Sequence, residues 1–325
     1  MRQIAKRKKI SIVTPCYNEE MNVEICAATV KAVMSSALPD YDYEHIFSDN
    51  ASQDSTVSVL RAMALTDSRI KVIVNSRNVG PFRNMWNAMK SATGDAVIPL
   101  LPADLQDPPA VIPEFVRRWE AGDLVVYGVR VNRQESWVKR LARGIYYRII
   151  RKFASALIPI NSGEFLLADH RVIQSVLAVD DEYPYIRGLI AQTAVRSSSV
   201  SYTWERRERG KSKNTFLNLL DQAINGFVST SRIPARFALL MGFLFSFLGI
   251  AGAAVTFFSF LLNRGSAAVG VPTLIVSIFF FGGIQLFFLG IIGEYVLSIH
   301  SQVRRMPPMF EMERINFDTS RRAEN

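Results

Sequence analysis

Residues 99–109 read PLLPADLQDPP, which sets Asp104, Gln106 and Asp107 within four positions of one another. Hard oxygen donors such as these suit Mg²⁺ or Mn²⁺, which bridge readily to phosphates. The apolar run 96–101 leading into them reads as a buried strand. Open α/β sheets bind their ligands just past the C-terminal ends of strands, where Asp104 falls. Pro102 occupies the position two before Asp104, where a second metal carboxylate would be expected. Two more polar clusters follow apolar runs in the same way: PCYNEE at 15–20 and DNASQD at 49–54.

The elements that position these clusters alternate. Strands are expected at 10–14, 44–48, 70–75, 96–101 and 124–127, and helices at 19–36, 54–65, 84–92 and 109–121. Asp54 favours a helix start, and Pro109 suits a first helical turn. Such alternation predicts an α/β domain, a mostly parallel sheet with helices on both faces. All three polar clusters then gather on one rim. Asp107 reads as a cap for the helix that follows it. No G-x-G-x-x-G follows the first strand and no Walker-type glycine loop occurs, which argues against a dinucleotide enzyme or a P-loop NTPase.

Of the 325 residues 49% are hydrophobic, and the excess lies toward the C-terminus. Segments 237–262 and 272–292 are uncharged and apolar, each matching the roughly 20 residues that span a bilayer. Arg232 and Arg236 precede the pair and Arg304 and Arg305 follow it, whereas the loop between holds only Arg264. The positive-inside rule therefore places the N-terminal part in the cytoplasm and makes the spans a hairpin. With two spans, a net charge of +9 points to an anionic membrane surface rather than nucleic acid. Segment 138–153 reads as a basic amphipathic helix on that surface, and 217–228 as a juxtamembrane helix. Cys16 and Cys26 are too few for a disulfide framework, His45, His170 and His300 show no metal spacing, and the basic N-terminus lacks the apolar stretch of a signal peptide.

In order along the chain, PCYNEE, DNASQD, Asn78-Val79-Gly80, ADLQDPP and RERGKSK at 207–213 are followed by the expected hairpin ending Gly293-Glu294-Tyr295. This series resembles the family 2 glycosyltransferases, within them the polyprenyl-phosphate enzymes akin to dolichol-phosphate mannose synthase and the bactoprenol glucosyltransferases. The resemblance implies a GT-A (Rossmann-like) fold and a nucleotide-diphosphate sugar bound by Pro15, Tyr17, Asn18, Glu19, Asp49 and Asp104. It implies a Mg²⁺ or Mn²⁺ cofactor at Asp104 and Gln106, and an acceptor phosphate held by Arg130, Arg140 and Arg207. Asp104, Glu164 and Arg207 would be the catalytic residues. Pro102 departs from the family's D-x-D pair, and Glu164 stands where the pattern has Asp. Gln192 and Ala194 stand where relatives often have Trp and Gly.

The organisation expected is a cytoplasmic GT-A domain at 1–213, a juxtamembrane helix at 214–236, two transmembrane helices at 237–298 and a cytoplasmic tail at 299–325. The function expected is inverting transfer of a sugar from the nucleotide to polyprenyl (undecaprenyl) phosphate at the cytoplasmic face of the inner membrane. Such an acceptor is already anionic and needs no strong general base. The partners are then the nucleotide sugar, the lipid and the membrane, with no nucleic acid and with a homo-oligomer compatible. The alternatives are a non-catalytic nucleotide-sugar-binding membrane protein, or an enzyme acting on a growing polysaccharide.

Overall fold

The computed structural model describes residues 7–131, 159, 161–179, 184–193, 196–205, 240–245, 247–249, 251–252, 255, 258, 270–303 and 309–317. The chain divides into two compact units, 1–219 with 306–325, and 220–305.

The first unit is built on β1 (Lys9–Cys16), α1 (Val23–Ala37), β2 (Asp42–Asp49), α2 (Thr56–Thr66), β3 (Ile70–Asn75), α3 (Pro81–Lys90) and β4 (Ala96–Ile98). A 3₁₀ turn (Pro109–Val111), α4 (Ile112–Glu120), β5 (Val125–Val131), β6 (Ser162–Asp169), α5 (His170–Leu177), α6 (Ile186–Thr193) and β7 (Ser197–Thr203) follow. With β8 (Glu311–Ile315) they form one eight-stranded sheet in the order β7-β5-β6-β4-β1-β2-β3-β8. β1 runs parallel to both β2 and β4.

The central strands are buried on both faces, as parallel strands covered by helices are. Alternate β1 residues point to opposite sides: Ile10 and Ile12 join a core with Phe47, Leu60, Phe115 and Phe165. Val13 joins Ile46, Ile73, Met85, Trp86 and Ile173 in the other core.

β6 runs antiparallel between β4 and β5, so its start, Ser162-Gly163-Glu164, comes level with the C-terminal ends of those strands. β4 is shorter than expected and α3 starts earlier, directly after Gly80, whose φ of 84° ends the preceding loop. At the opposite end of the sheet the buried Glu44 carboxylate binds Lys9 Nζ at 2.8 Å, Lys71 Nζ at 2.7 Å and Ser11 Oγ at 2.5 Å. Burial alone would raise the Glu44 pKa, but hydrogen bonds from the two lysines, Ser11 and the Thr93 N–H bring it down to about 2.

Where the sequence suggests a tail, the chain forms a strand. β8 runs antiparallel to β3 along the sheet edge. Arg61 takes Glu313 bidentately, with Nη2 at 2.6 Å from Oε2, and Asn87 Nδ2 donates to Glu311 Oε1 at 2.6 Å. Asn316 Nδ2 donates to the carbonyls of Ala64 and Ile70 at 2.7 and 2.8 Å. Glu311, Glu313 and Ile315 turn toward the domain while Met312 and Arg314 are exposed, as on an edge strand with one face covered.

In the second unit, α7 (Val271–Val303) contains the second apolar segment expected from the sequence. Its window Phe280–Leu297, of mean hydropathy 1.7, is long and apolar enough to cross a membrane. Phe245, in the helical stretch 240–245, meets Phe280 and Phe281 with ring centroids 6.2 and 6.3 Å apart. Half of the first expected span, both amphipathic segments, Arg140 and Arg207 lie outside the described residues.

Candidate functional site

The parallel register sets Cys16 beside Asp49, so the loops leaving β1 and β2 interlock. Asn18 adopts a left-handed φ of 53°. Its amide donates to Ser52 Oγ at 2.8 Å and its Oδ1 accepts from the Gln53 N–H at 2.7 Å. The Glu19 N–H donates to Thr56 Oγ1 at 2.8 Å, and Glu19 Oε2 accepts from Asn22 Nδ2 at 2.5 Å. Pro15, Tyr17, Asn18, Glu19 and Asp49 are thus brought together by backbone contacts between two strand ends.

Asp49 is fully buried. Its Oδ2 accepts from the Ser52 N–H at 2.9 Å, while Oδ1 has no hydrogen-bond partner among the described residues. Burial pushes its pKa up, against the lowering effect of hydrogen bonds from Ser52 and Ala51. A buried carboxylate oxygen without a donor is costly, and a ligand N–H or O–H would satisfy it.

A third strand end supports this pair, through the Asn78-Val79-Gly80 turn and through asparagines not picked as site residues from the sequence. Asn50 Nδ2 donates to Asn78 Oδ1 at 2.9 Å, and Asn50 Oδ1 accepts from the Val79 N–H at 2.9 Å. Beneath them the buried Asn84 Oδ1 accepts from Ser48 Oγ at 2.5 Å and Asn75 Nδ2 at 2.7 Å, and Asn84 Nδ2 donates to the Ser48 carbonyl at 2.8 Å. The signal available was a run of asparagines at strand ends, where short amides tie loops without a long side chain.

The Asp104 loop begins where the Leu101 N–H reaches back to the Val13 carbonyl at 2.8 Å. Leu105 takes a left-handed φ of 56° and its N–H bonds the Pro102 carbonyl at 3.1 Å. The Gln106 N–H donates to Asp104 Oδ1 at 3.3 Å. Pro102 therefore contributes its carbonyl to the turn in place of a carboxylate. Among the described residues no group of three or more His, Cys, Asp or Glu could hold a metal alone. One carboxylate and one amide oxygen fit a Mg²⁺ or Mn²⁺ ion that a diphosphate and water also ligate. The buried Cys26 thiol on α1 is pushed up to about 12, mainly by burial, with Asp104 and Glu19 adding to the rise.

Asp107 does not cap the helix; Pro108 precedes the 3₁₀ turn and no side chain caps it. Its carboxylate is fully buried, and a buried charge requires a partner. Arg130 supplies one, Nε to Oδ1 at 2.9 Å and Nη2 to Oδ2 at 2.6 Å, and the Tyr202 hydroxyl donates to Oδ1 at 2.5 Å. Burial works against the Arg130 charge, but Asp107 outweighs it and raises its pKa. The Trp204 ring centroid lies 5.7 Å from Arg130 Cζ. Gly163 leaves room for the guanidinium, since a Cβ there would lie 3.1 Å from Nη2. Glu164, half-buried, follows it at the start of β6. Arg187, another residue not picked from the sequence, donates to the Ser162 carbonyl and at 2.6 Å to the Tyr185 hydroxyl. The predicted site residues thus form two neighbouring groups, Pro15 to Asp49 and Asp104 with Gln106, Arg130 and Glu164.

Residues 11–177 match Glycosyl transferase family 2. An uncharacterised glycosyltransferase of Synechocystis is 33% identical over 300 residues, 92% of this chain and 93% of that protein. The prophage bactoprenol glucosyl transferase homolog of Escherichia coli is 30% identical over 306 residues, 92% of this chain and 97% of that protein. Among solved structures, Mycobacterium tuberculosis glucosyl-3-phosphoglycerate synthase with Mn²⁺, UDP and glucosyl-3-phosphoglycerate is 21% identical, with a TM-score of 0.43 over 66% of this chain and 76% of that one. The chain belongs to glycosyltransferase family 2, as a transferase related to the polyprenyl-phosphate subgroup.

Proposed function

We propose that the protein transfers a sugar, with inversion, from a nucleotide-diphosphate sugar to polyprenyl phosphate at the cytoplasmic face of the membrane. The observation that carries this is the rim itself: Asp49, whose Oδ1 has no partner among the described residues, and the Asp104–Gln106 turn stand at or beyond the C-terminal ends of the parallel strands β2 and β4 on either side of β1. Asp49 with Pro15, Tyr17, Asn18 and Glu19 takes the nucleoside. Asp104 and Gln106 hold Mg²⁺ or Mn²⁺, which when bound neutralises charge on the leaving diphosphate. An oxygen of the acceptor phosphate attacks the anomeric carbon as the bond to the diphosphate breaks. Arg140 and Arg207 grip the acceptor, because guanidinium offers bidentate bonds to phosphate. Arg130 commits its Nε–Nη2 edge to Asp107, so an acceptor would take its other edge. Glu164 orients the acceptor phosphate or the donor sugar. Catalysis then rests on positioning and electrostatics.

The lipid acceptor is supported by the named bactoprenol relatives, which match 92% of the chain. The hairpin is supported by β8: because it shares a sheet with β1 to β7, residues 206–310 must return to the side they left. A crossing by α7 would then call for a second one, for which 237–262 is the apolar segment available.

The test is incubation of the purified full-length protein with labelled nucleotide sugars, Mg²⁺ or Mn²⁺ and undecaprenyl phosphate. Chloroform-extractable label that disappears in Asp104→Ala is expected. Label found only in polymer would overturn the lipid acceptor.

A further inference from the structure

We propose that Asp107 and Tyr202 are positioning residues that hold the Asp104–Gln106 turn in the shape that takes a divalent ion together with a nucleoside diphosphate. The proposal rests on the donor site described above and assigns these two side chains a part in it.

The turn does not hold itself. Leu105 is a branched residue in the left-handed region, a conformation that persists only where its surroundings impose it. Two clamps supply the constraint. At Gln106 the backbone carbonyl accepts from the Glu205 N–H at 3.0 Å, and its Nε2 reaches the Glu205 carbonyl at 3.5 Å. One residue on, Asp107 is fixed by Arg130 from β5 and Tyr202 from β7. Both Asp107 oxygens are engaged there and the side chain has no exposure, so it acts through its neighbours and not on the ion.

The surrounding residues are shaped for this clamp. The Tyr202 ring packs edge-on to Phe165, with centroids 5.6 Å apart. A Cβ on Gly128 would lie 2.8 Å from Tyr202 Cε1 and 2.6 Å from the Phe165 carbonyl, so glycine is what lets the tyrosine lie across β5. Tyr202 bonds Arg130 Nε as well, at 3.2 Å, closing a three-membered network. A shift at Tyr202 therefore moves the Asp104–Gln106 turn through Asp107.

Tyr202→Phe deletes the hydroxyl and keeps the ring on Phe165. Mn²⁺ binding to the full-length protein is followed by electron paramagnetic resonance, with UDP, GDP, CDP and ADP each as the probe diphosphate. Tyr202→Phe is expected to weaken nucleotide-dependent Mn²⁺ binding about tenfold and, because it removes a hydrogen bond to the buried Asp107 carboxylate, to lower the unfolding midpoint as well. Asp107→Asn should weaken it further, and it also tests the network where the tyrosine variant is tolerated. If both variants bind Mn²⁺ and nucleotide like the wild type, the positioning role is overturned, whatever their stability. If the wild type itself binds Mn²⁺ with none of the four diphosphates, the donor-site reading fails and the proposal falls with it.

Discussion

Replacing Asp49 by Asn should make the protein more stable and worse at binding its donor. Asp49 has one oxygen bonded to the Ser52 N–H and a second that is buried without a partner among the described residues. An unsatisfied buried acceptor costs about 1–3 kcal/mol, and more when charged. Asn keeps the bond to Ser52 and removes the charge, so a gain of about 1 kcal/mol is expected, or roughly 2–4 °C in Tm for a domain of this size. The ligand loses a hydrogen bond to a charged group, worth about 1.5–3 kcal/mol, or roughly tenfold to 150-fold in affinity. Acidity adds a second signature. The folded-state pKa of Asp49 is raised by burial, so the folded protein binds this proton more tightly than the unfolded chain. The penalty is absent below the unfolded pKa and sets in as pH rises through the folded one. The stability gap between wild type and Asp49→Asn should therefore close on acidification. Scanning calorimetry against pH and isothermal titration with the diphosphate the wild type prefers measure both effects. A variant that is less stable, or that binds with wild-type affinity, refutes the reasoning.

Two further outcomes concern the frame around the site. Glu44→Gln should cost on the order of 3 kcal/mol at neutral pH, since the folded pKa is near 2 against a usual 4.5. That stability is present above the unfolded pKa and lost as pH falls through the folded one, so urea unfolding curves of wild type and variant should converge toward about pH 2. Ending the chain after residue 308 should leave the β3 edge unpaired, and the truncated protein should scatter light and melt at lower temperature than the full chain.

The donor half of the site was legible because its residues lie next to the strands that present them: apolar runs at 10–14 and 44–48 end in PCYNEE and DNASQD, and the parallel register does the rest. Asp107 was not legible. Its partners are 23 and 95 residues away, and before two prolines a helix cap is the local inference. β7, SSSVSYT, was missed because serines conceal the alternation, and only Tyr202 is buried. β8 was missed because acidic and basic residues outnumber apolar ones in EMERI. Tertiary pairing, rather than propensity, makes both of them strands. Asn50, Asn75 and Asn84 look like ordinary turn residues until three strand ends converge on them.

The sheet is also the last thing this protein finishes. β1 to β7 leave the ribosome before the apolar segments 237–262 and 272–292, but the neighbour of β3 is encoded after both. Until residues 311–315 have been synthesised, the domain carries an open strand edge beside α2. A chain that misplaced the apolar segments between β7 and β8 would delay that closure and leave an edge able to pair with other chains. Completion of the sheet thus reports that everything encoded between its last two strands has been made and brought back to it.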